Sequence, residues 1–157
     1  MTARRAGASA AIEPIGALDL DDLARLHAGS FEEPWSRDAF ARVLAATESY
    51  GLIARDGAAA TGFALCRVVA DECEILTFVV APRFRRHGIG SALLDAALAR
   101  AAARGARFVF LEVAEDNVPA RALYAGAGFR RVGVREGYYR RGASRVDAWT
   151  LKRTLVD

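Results

Sequence analysis

A turn rich in arginine and glycine, residues 83–91, has the composition of an anion-binding site. Its sequence is Arg83-Phe84-Arg85-Arg86-His87-Gly88-Ile89-Gly90-Ser91. Where a helix begins at such glycines, uncovered backbone N–H groups and the helix dipole attract negative charge. Neighbouring guanidinium groups suit a pyrophosphate, which accepts paired hydrogen bonds. The P-loop and three-glycine dinucleotide patterns are absent, which disfavours ATP and NAD. The alternative is an ordinary helix start with solvated arginines.

A carboxylate near the end of a short apolar run is the second candidate for chemistry. Glu112 lies near the carboxyl end of Phe108–Val113, a run typical of a strand covered on both faces. Alternation of side chains puts Glu112 on the same face as Phe108 and Phe110. Because ligands of open α/β sheets lie beyond the carboxyl ends of parallel strands, Glu112 is expected to face a ligand crevice. The alternative is a salt-bridged strand end.

The composition is that of one globular domain. The chain has 157 residues, of which 53% are hydrophobic, enough to bury a sizeable core. We predict a disordered lead-in over residues 1–11 and a single domain over 12–157. No apolar run is long enough to span a bilayer and no secretory leader is evident, so a cytoplasmic protein without a membrane partner is expected. Cys66 and Cys73 can form at most one bridge and lack metal-ligand spacing, so neither a disulfide scaffold nor a metal site is expected.

The charge balance is only mildly basic. Lys and Arg number 22 against 19 acidic residues, a net charge of +3. This excess is small, and no platform of interleaved aromatics and arginines is evident in the sequence. Direct binding of nucleic acid is therefore not expected.

The first half of the chain contains patterns of two helices followed by three strands. Spacing of apolar residues predicts helices over Asp19–Ala28 and Arg37–Ala46, the second capped by Ser36. Asp56-Gly57 is typical of a hairpin turn, here between strands Tyr50–Arg55 and Ala60–Val69. The β-branched and aromatic residues of Glu72–Val80 predict a third strand.

The second half changes to a strand–helix–strand pattern. After Pro82, an apolar stripe with period 3.6 predicts the longest helix, ending at Gly105. A strand before it and the strand Phe108–Val113 after it indicate a right-handed βαβ unit with parallel strands. The remaining predictions are a helix over Val118–Gly126 capped by Asn117, and strands Phe129–Gly137 and Val146–Leu151 around a basic loop, Arg140–Arg145.

Several of these segments together resemble one enzyme family. Arg85-x-x-Gly88-x-Gly90, between a strand and a long amphipathic helix, resembles the acetyl-coenzyme A motif of the GNAT superfamily of N-acetyltransferases. Within it, the likeness is to the bacterial ribosomal-protein-alanine N-acetyltransferases and covers about residues 19–151. The resemblance implies an α/β fold with three α/β/α layers and a mixed central sheet, antiparallel in its N-terminal part with a parallel βαβ crossover. The further matching segments are Phe31…Pro34-Trp35-Ser36…Phe40, Glu72–Val80, Leu111-Glu112-Val113, Asn117, Leu123-Tyr124, Gly128-Phe129 and Tyr138-Tyr139.

The resemblance implies acetyl-CoA as cosubstrate and no metal. Backbone groups of Phe78, Val79 and Val80 would bind the pantetheine arm. Asn117 would contact the cosubstrate further along, a role compatible with capping a helix. The residues that would hold the pyrophosphate are Arg85, Arg86, His87, Gly88, Ile89, Gly90 and Ser91.

The same resemblance assigns the proton transfers. Glu112 matches the family's general base and Tyr124 its general acid, although a tyrosine there could also be a core-edge residue. Glu72 and Glu74 are second choices for the base, because other members of the superfamily use a glutamate on that strand. Alternation puts both of them on one face.

The acceptor is less tightly indicated than the donor. Trp35 and the pair Tyr138-Tyr139 resemble segments that line a peptide cleft, which implies a protein N-terminal α-amine, for example that of a ribosomal protein. Aromatic packing at an exposed hairpin tip is the alternative for the tyrosines. The family often has arginine where Ala114 stands, which leaves acceptor specificity open. A small amine or an antibiotic remains a second hypothesis, and a non-catalytic module binding acyl-CoA or RNA a third. We expect a monomer or a weak dimer.

Overall fold

The computed structural model describes residues 11–155, and this part of the chain contains seven strands and four α-helices. Short 3-10 helices lie at Ala17–Asp19 and Pro82–Phe84. In chain order the elements are β1 (Ala11–Pro14), α1 (Leu20–Ala28), α2 (Arg37–Ala45), β2 (Ser49–Asp56), β3 (Ala59–Val69), β4 (Glu72–Val80), α3 (Ile89–Ala103), β5 (Phe108–Ala114), α4 (Val118–Gly126), β6 (Arg130–Arg141) and β7 (Ser144–Thr154).

The strands form one mixed sheet in the order β1-β2-β3-β4-β5-β7-β6. β1 pairs antiparallel with β2, and β7 pairs antiparallel with both β5 and β6. β4 and β5 are parallel, with Glu72 opposite Phe108 and Glu74 opposite Phe110. The predicted βαβ crossover through α3 and the mixed α/β sheet are therefore confirmed.

Capping side chains and glycines mark the beginnings and ends of elements where the sequence predicts them. Ser36 Oγ accepts a hydrogen bond from the Ala39 N–H and caps α2, and Asn117 Oδ1 accepts one from Ala120 to cap α4. Gly57 has a φ of +60° in the turn between β2 and β3. Gly105 has a φ of +90° just after α3, a conformation that L side chains rarely adopt.

The described chain divides into two compact units. The first comprises the residues up to Cys66 together with Thr77–Ala97, and the second comprises Arg67–Leu76 together with the residues from Leu98 onward. The single domain expected over residues 12–157 stays a prediction.

The first unit has a core of aliphatic and aromatic side chains from its helices and strands. The Tyr50 hydroxyl reaches into it and donates a 2.7 Å hydrogen bond to the Ala97 carbonyl. Gly62 is required by packing, because a Cβ there would lie 2.5 Å from the Val79 carbonyl oxygen. The largest fully buried side chains of this unit are Leu23, Phe40, Ile53, Phe63, Leu65, Leu93 and Leu94.

The second unit has its own core around β5. Val109, Leu111 and Val113 are buried along one face of that strand, as their alternation predicts. Tyr124 of α4 and Phe129 after it are also buried, with their rings packed edge to face at 5.8 Å. Cys73 of this unit and Cys66 of the first are buried cysteines outside any disulfide bond, as expected of core residues.

Two sequence predictions are wrong at the ends of the chain. Ala11, assigned to the disordered lead-in, is the first residue of β1 and pairs with Arg55; residues 1–10 of that prediction lie outside the described part. The basic loop Arg140–Arg145 does not exist as such, because Arg140 and Arg141 continue β6, and Ser144 and Arg145 begin β7. The turn is only Gly142-Ala143, with Gly142 at a φ of +58°. Long exposed arginines are compatible with an edge strand, since their charges stay in water.

Candidate active site

The predicted anion-binding turn is a tight, exposed segment of the first unit. A 3-10 helix at Pro82–Phe84 leads from β4 into the turn, and the Arg85 Nε donates a 3.0 Å hydrogen bond to the Val80 carbonyl. Arg86 has a φ of +65° and Gly88 a φ of +79°. The left-handed conformation costs a residue other than glycine about 1–2 kcal/mol, so Arg86 stores backbone strain at this point.

The donor set of this turn fits a pyrophosphate. The side chains of Arg83, Arg86 and His87 are exposed, and α3 begins directly after Gly88 with its first N–H groups available to an anion. A Cβ at Gly88 would meet no heavy atom of the described residues within 4 Å. Gly88 is therefore needed for its backbone conformation, and the space beside it is open.

The end of β4 differs from its beginning in its pairing. The parallel register with β5 covers Glu72–Glu74, and Phe78, Val79 and Val80 lie beyond it. In the same strand, the buried Thr77 Oγ1 has no hydrogen-bond partner among the described residues. The other edge of β4 pairs with β3, and backbone groups beyond the β4–β5 register are placed to meet an extended ligand.

In the second unit, Glu112 is half-buried near the carboxyl end of β5. The Arg135 Nε of β6 donates to a Glu112 carboxylate oxygen at 2.7 Å, with 24% of the glutamate side chain and 62% of the arginine side chain exposed. Lys152 lies over the rings of Phe108 and Phe110, at 4.4 and 5.5 Å from their centroids. The salt-bridged strand end weighed as an alternative for Glu112 is thus present. The arginine of the pair remains largely in water.

The charge of Glu112 acts on Tyr139, although the two residues are on different strands. Burial, then the negative charge of Glu112 and the Tyr138 phenol, raise the pKa of Tyr139 to about 12, while Arg141 opposes the shift. The Tyr138 and Tyr139 rings pack edge to face at 5.1 Å, with Tyr138 half exposed. Three residues predicted separately, Glu112, Tyr138 and Tyr139, therefore belong to one cluster.

Two further candidates lie at the ends of α4. Tyr124 is buried and packs against Phe129, so the core-edge environment considered for it is present. Asn117 caps the helix as predicted, with its side chain exposed. Its capping bond uses one acceptor site of the amide oxygen and leaves the amide donors out of the cap.

Trp35 belongs to a separate aromatic group in the first unit. It is half-buried in the segment between α1 and α2, with its ring 5.3 Å from Phe40 and 5.5 Å from His27. Its backbone N–H donates a 3.0 Å hydrogen bond to His27 Nδ1.

The second-choice bases are less well situated than Glu112. Glu72 and Glu74 are exposed on one face of β4, as alternation predicts, and Glu74 pairs with the exposed Arg67 at 3.1 Å. Glu74 is opposite Phe110, two residues or about 7 Å before Glu112 along the strand direction. Since ligands lie beyond the carboxyl ends of parallel strands, Glu112 is the better candidate.

Sequence reasoning missed Arg135 and His27, and it placed Arg141 only in a basic segment next to the tyrosines. Arg135 could have been found only from its contact with Glu112, which depends on the pairing of β6 and β7. Arg141 forms a two-bond ion pair with Asp116 at 3.0 and 3.1 Å, which gives the unusual Ala114-Glu115-Asp116 segment a structural role. His27 had a local signal, because it follows Leu23 and Leu26 on the buried face of α1.

Two features are absent from the described residues. No group of three His, Cys, Asp or Glu side chains in residues 11–155 could hold a metal ion. In the same range, no helix has both the length and the apolar composition needed to cross a membrane.

Comparison with known proteins decides the family. The chain matches the acetyltransferase (GNAT) family model over residues 20–129, more than half of its length. It belongs to the GNAT family of acetyltransferases. GNAT enzymes use acetyl-CoA. The family therefore confirms the expected enzyme class, an acetyl-CoA-dependent N-acetyltransferase.

Named GNAT relatives are similar over most of the chain. It is 41% identical over 152 residues to the N-alpha-acetyltransferase RimI of Mycobacterium tuberculosis, covering 91% of this chain and 93% of that protein. It is 34% identical over 115 residues to the ribosomal protein bS18-alanine N-acetyltransferase of Escherichia coli, covering 73% and 77%. The crystal structure of the ribosomal-protein-S18-alanine N-acetyltransferase from Escherichia coli superposes with a TM-score of 0.87 at 27% identity, covering 94% of each chain. These findings confirm the resemblance and the fold.

Proposed function

We propose that this GNAT enzyme transfers the acetyl group of acetyl-CoA to a protein N-terminal α-amine, that of a ribosomal protein. The observation that carries the proposal is the half-buried Glu112 near the carboxyl end of β5, held at 2.7 Å by Arg135. The acceptor is taken from the relatives, which are named for alanine N-acetylation of a ribosomal protein. Such an acceptor is made in the cytoplasm, where we propose that the enzyme acts.

Residues of the turn and of β4 hold acetyl-CoA in this proposal. Arg85 and Arg86 supply positive charge, His87 supplies a ring N–H, and the backbone N–H groups from Gly88 to Ser91 supply directed donors for the pyrophosphate. Backbone groups of Phe78–Val80 bind the pantetheine arm, and Asn117 contacts the cosubstrate further along. Acetyl-CoA supplies a thioester whose carbonyl carbon accepts a nucleophile.

The chemistry of the acceptor explains why a modest base suffices. An α-amine with a pKa of about 7.7–8.0 is roughly a tenth to a sixth neutral at pH 7, whereas a lysine amine with a pKa of about 10.4 is neutral in only about 0.04% of molecules. That difference corresponds to about 3.4 kcal/mol at about 1.36 kcal/mol per pKa unit. Glu112 acting through one water can remove the remaining proton from the α-amine.

The two proton transfers accompany one bond exchange. The neutral amine nitrogen bonds to the acetyl carbon and the carbon–sulfur bond breaks, so the electron pair leaves on sulfur. Glu112, after passing the ammonium proton on to solvent, takes the second proton that the nitrogen loses as the amide forms, and the Tyr124 hydroxyl gives a proton to the departing thiolate. A phenol with a pKa of about 10 stays protonated near neutral pH and is available as donor. Holding the amine against the thioester supplies the rest of the acceleration.

Acceptor recognition is assigned to aromatic residues. Tyr139 is within reach of the charge of the base, Tyr138 packs on Tyr139, and Trp35 contributes an indole from the segment before α2. Aromatic rings favour a peptide backbone and its side chains over a small polar amine, because they offer large apolar contact area.

A turnover assay with a panel of acceptors tests this function. The enzyme is incubated with acetyl-CoA and peptides that carry a free N-terminal alanine, and released thiol is followed. Matched controls are the same peptides with an acetylated N-terminus and an internal lysine, together with small amines. We expect thiol release only with the free α-amine. Equal turnover of small amines would contradict the proposed acceptor. If no amine or peptide in the panel led to thiol release, acetyl transfer itself would be contradicted.

A further inference from the structure

His27 is a buried titratable residue that the proposed mechanism does not use. It lies in the last turn of α1 and is 3% exposed. Its ring stacks on Phe31 at 4.2 Å with an interplanar angle of 21°, and it contacts Trp35 and Phe40 at 5.5 Å each. Phe40 in turn packs edge to face on Phe63 at 5.5 Å. The imidazole is thus the centre of an aromatic cluster that ends in the core of the first unit.

His27 also holds both ends of the segment that carries Trp35. At the start, the His27 carbonyl accepts hydrogen bonds from the backbone N–H groups of Ser30 and Phe31, both at 3.0 Å. At the end, His27 Nδ1 accepts the Trp35 backbone N–H, also at 3.0 Å. Residues 31–35 form no helix or strand. Backbone N–H groups at both ends of this stretch are therefore bound to the same residue, His27.

We propose that His27 is a positioning residue that holds Phe31 and Trp35 in the conformation that binds the acceptor peptide. The inference rests on the proposed function for the acceptor role of Trp35. Fixing the backbone of an irregular segment has a large entropic cost at every residue. Because its contacts with His27 already order this segment in the free enzyme, peptide binding does not have to order it. The peptide therefore binds more tightly without any new contact.

The chemistry of the contact specifies histidine. To accept the Trp35 N–H, Nδ1 must be unprotonated, so the neutral ring carries its proton on Nε2. Burial lowers the pKa of His27 to about 4, which keeps the ring in the accepting form near neutral pH. Asparagine can present its side-chain oxygen near the place of Nδ1, whereas leucine fills apolar space without an acceptor.

A purely structural histidine and a positioning histidine predict different kinetics. If His27 only fills the core, substitution lowers stability and leaves the KM for the peptide unchanged in the folded fraction. If it positions the segment, His27→Leu raises the KM for the peptide about 10-fold, with kcat and the Kd for acetyl-CoA unchanged. His27→Asn should then stay close to the wild-type KM.

The experiment compares these two variants in folded protein, checked by circular dichroism. The chain has two tryptophans, so a Trp149→Phe background leaves Trp35 as the one tryptophan, whose emission is excited selectively over that of tyrosine. We expect a red-shifted emission and stronger acrylamide quenching of Trp35 in His27→Leu, and neither change in His27→Asn. If His27→Leu does not fold, His27→Gln replaces it, because its amide lies near the position of Nε2 and misses the Trp35 N–H.

Each outcome decides the proposal. An unchanged peptide KM and unchanged Trp35 fluorescence in the leucine or glutamine variant would overturn it, as would a rise in the Kd for acetyl-CoA equal to the rise in KM. If the wild-type enzyme turns over no peptide, the proposed function fails first, and Trp35 fluorescence alone then decides whether His27 holds the segment.

Discussion

The Glu112–Arg135 ion pair shows how a single contact changes the interpretation of a site residue. Exposed ion pairs contribute only about 0–1 kcal/mol to stability, so this pair is not needed to hold the fold. Its short distance, 2.7 Å, and the half-buried carboxylate are better explained if Arg135 fixes the orientation of the base. Strand alternation alone predicted the face of Glu112, because alternation is a local property of the chain.

The first residue-scale prediction concerns the proton-transfer groups. Glu112→Gln and Tyr124→Phe should each lower kcat about 100-fold or more, because each loses one proton transfer while keeping its shape. The Kd for acetyl-CoA, measured by calorimetry, should change little. Near-normal turnover in both variants would remove these roles.

The second residue-scale prediction concerns Arg135. Arg135→Met should lower kcat about 5-fold, the equivalent of about 1 kcal/mol, because Glu112 loses its orienting partner. Arg135→Lys should recover most of the rate. Arg131→Met is the matched control: Arg131 lies on the same strand but over the Trp149 ring at 4.6 Å, so its loss should leave kcat unchanged. Equal effects of the two Met variants would argue against orientation.

At the scale of elements, capping residues and glycines mark where helices and strands begin and end, as the sequence predicts. Ser36, Asn117, Gly57 and Gly105 act through bonds or dihedral angles within a few residues, which is why they are visible without a fold. Pairing across the sheet is different. The sequence predicts β6 and β7 too short, because a run of arginines is typical of a loop. These arginines are in strands because β6 and β7 hydrogen-bond to each other along their whole ends.

An element-scale prediction compares two glycines of the same conformation. Gly88 and Gly57 have φ values of +79° and +60°, and a Cβ at either position would meet no heavy atom of the described residues within 4 Å. Gly88→Val and Gly57→Val should therefore cost similar stability. Only Gly88→Val should raise the Kd for acetyl-CoA, by about 10-fold or more, because its N–H groups no longer point at the pyrophosphate. A similar rise for both, measured by calorimetry, would contradict the assignment of the turn.

At the scale of the whole molecule, the stability of the folded state depends on keeping His27 neutral. A position in the last turn of α1 favours a charged imidazole by about 0.3–1 kcal/mol. Burial outweighs this, because it lowers the pKa from 6.5 to about 4.

The predicted pH dependence follows from this shift. The unfolded chain binds the His27 proton more readily than the folded one between pH 6.5 and about 4, so the free energy of unfolding falls as the pH is lowered through that window. The loss should reach about 3 kcal/mol at the acid end. Denaturant unfolding of the wild type and His27→Asn measures it as the difference between the two curves. His87→Asn, with its side chain exposed, is the matched control and should retain the wild-type difference. Parallel curves for wild type and His27→Asn would contradict the prediction.

Local patterns in the sequence by themselves determined the helices, most strand positions, the tight turn before α3 and the face of Glu112. Each depends on periodicity, capping or glycine conformation over a few neighbouring residues. Tertiary structure alone decided that β7 lies between β5 and β6, that Arg135 reaches Glu112, that the charge of Glu112 acts on Tyr139, and that His27 binds the Trp35 backbone. These contacts join different elements, and no local periodicity encodes which strand or segment will pack against which.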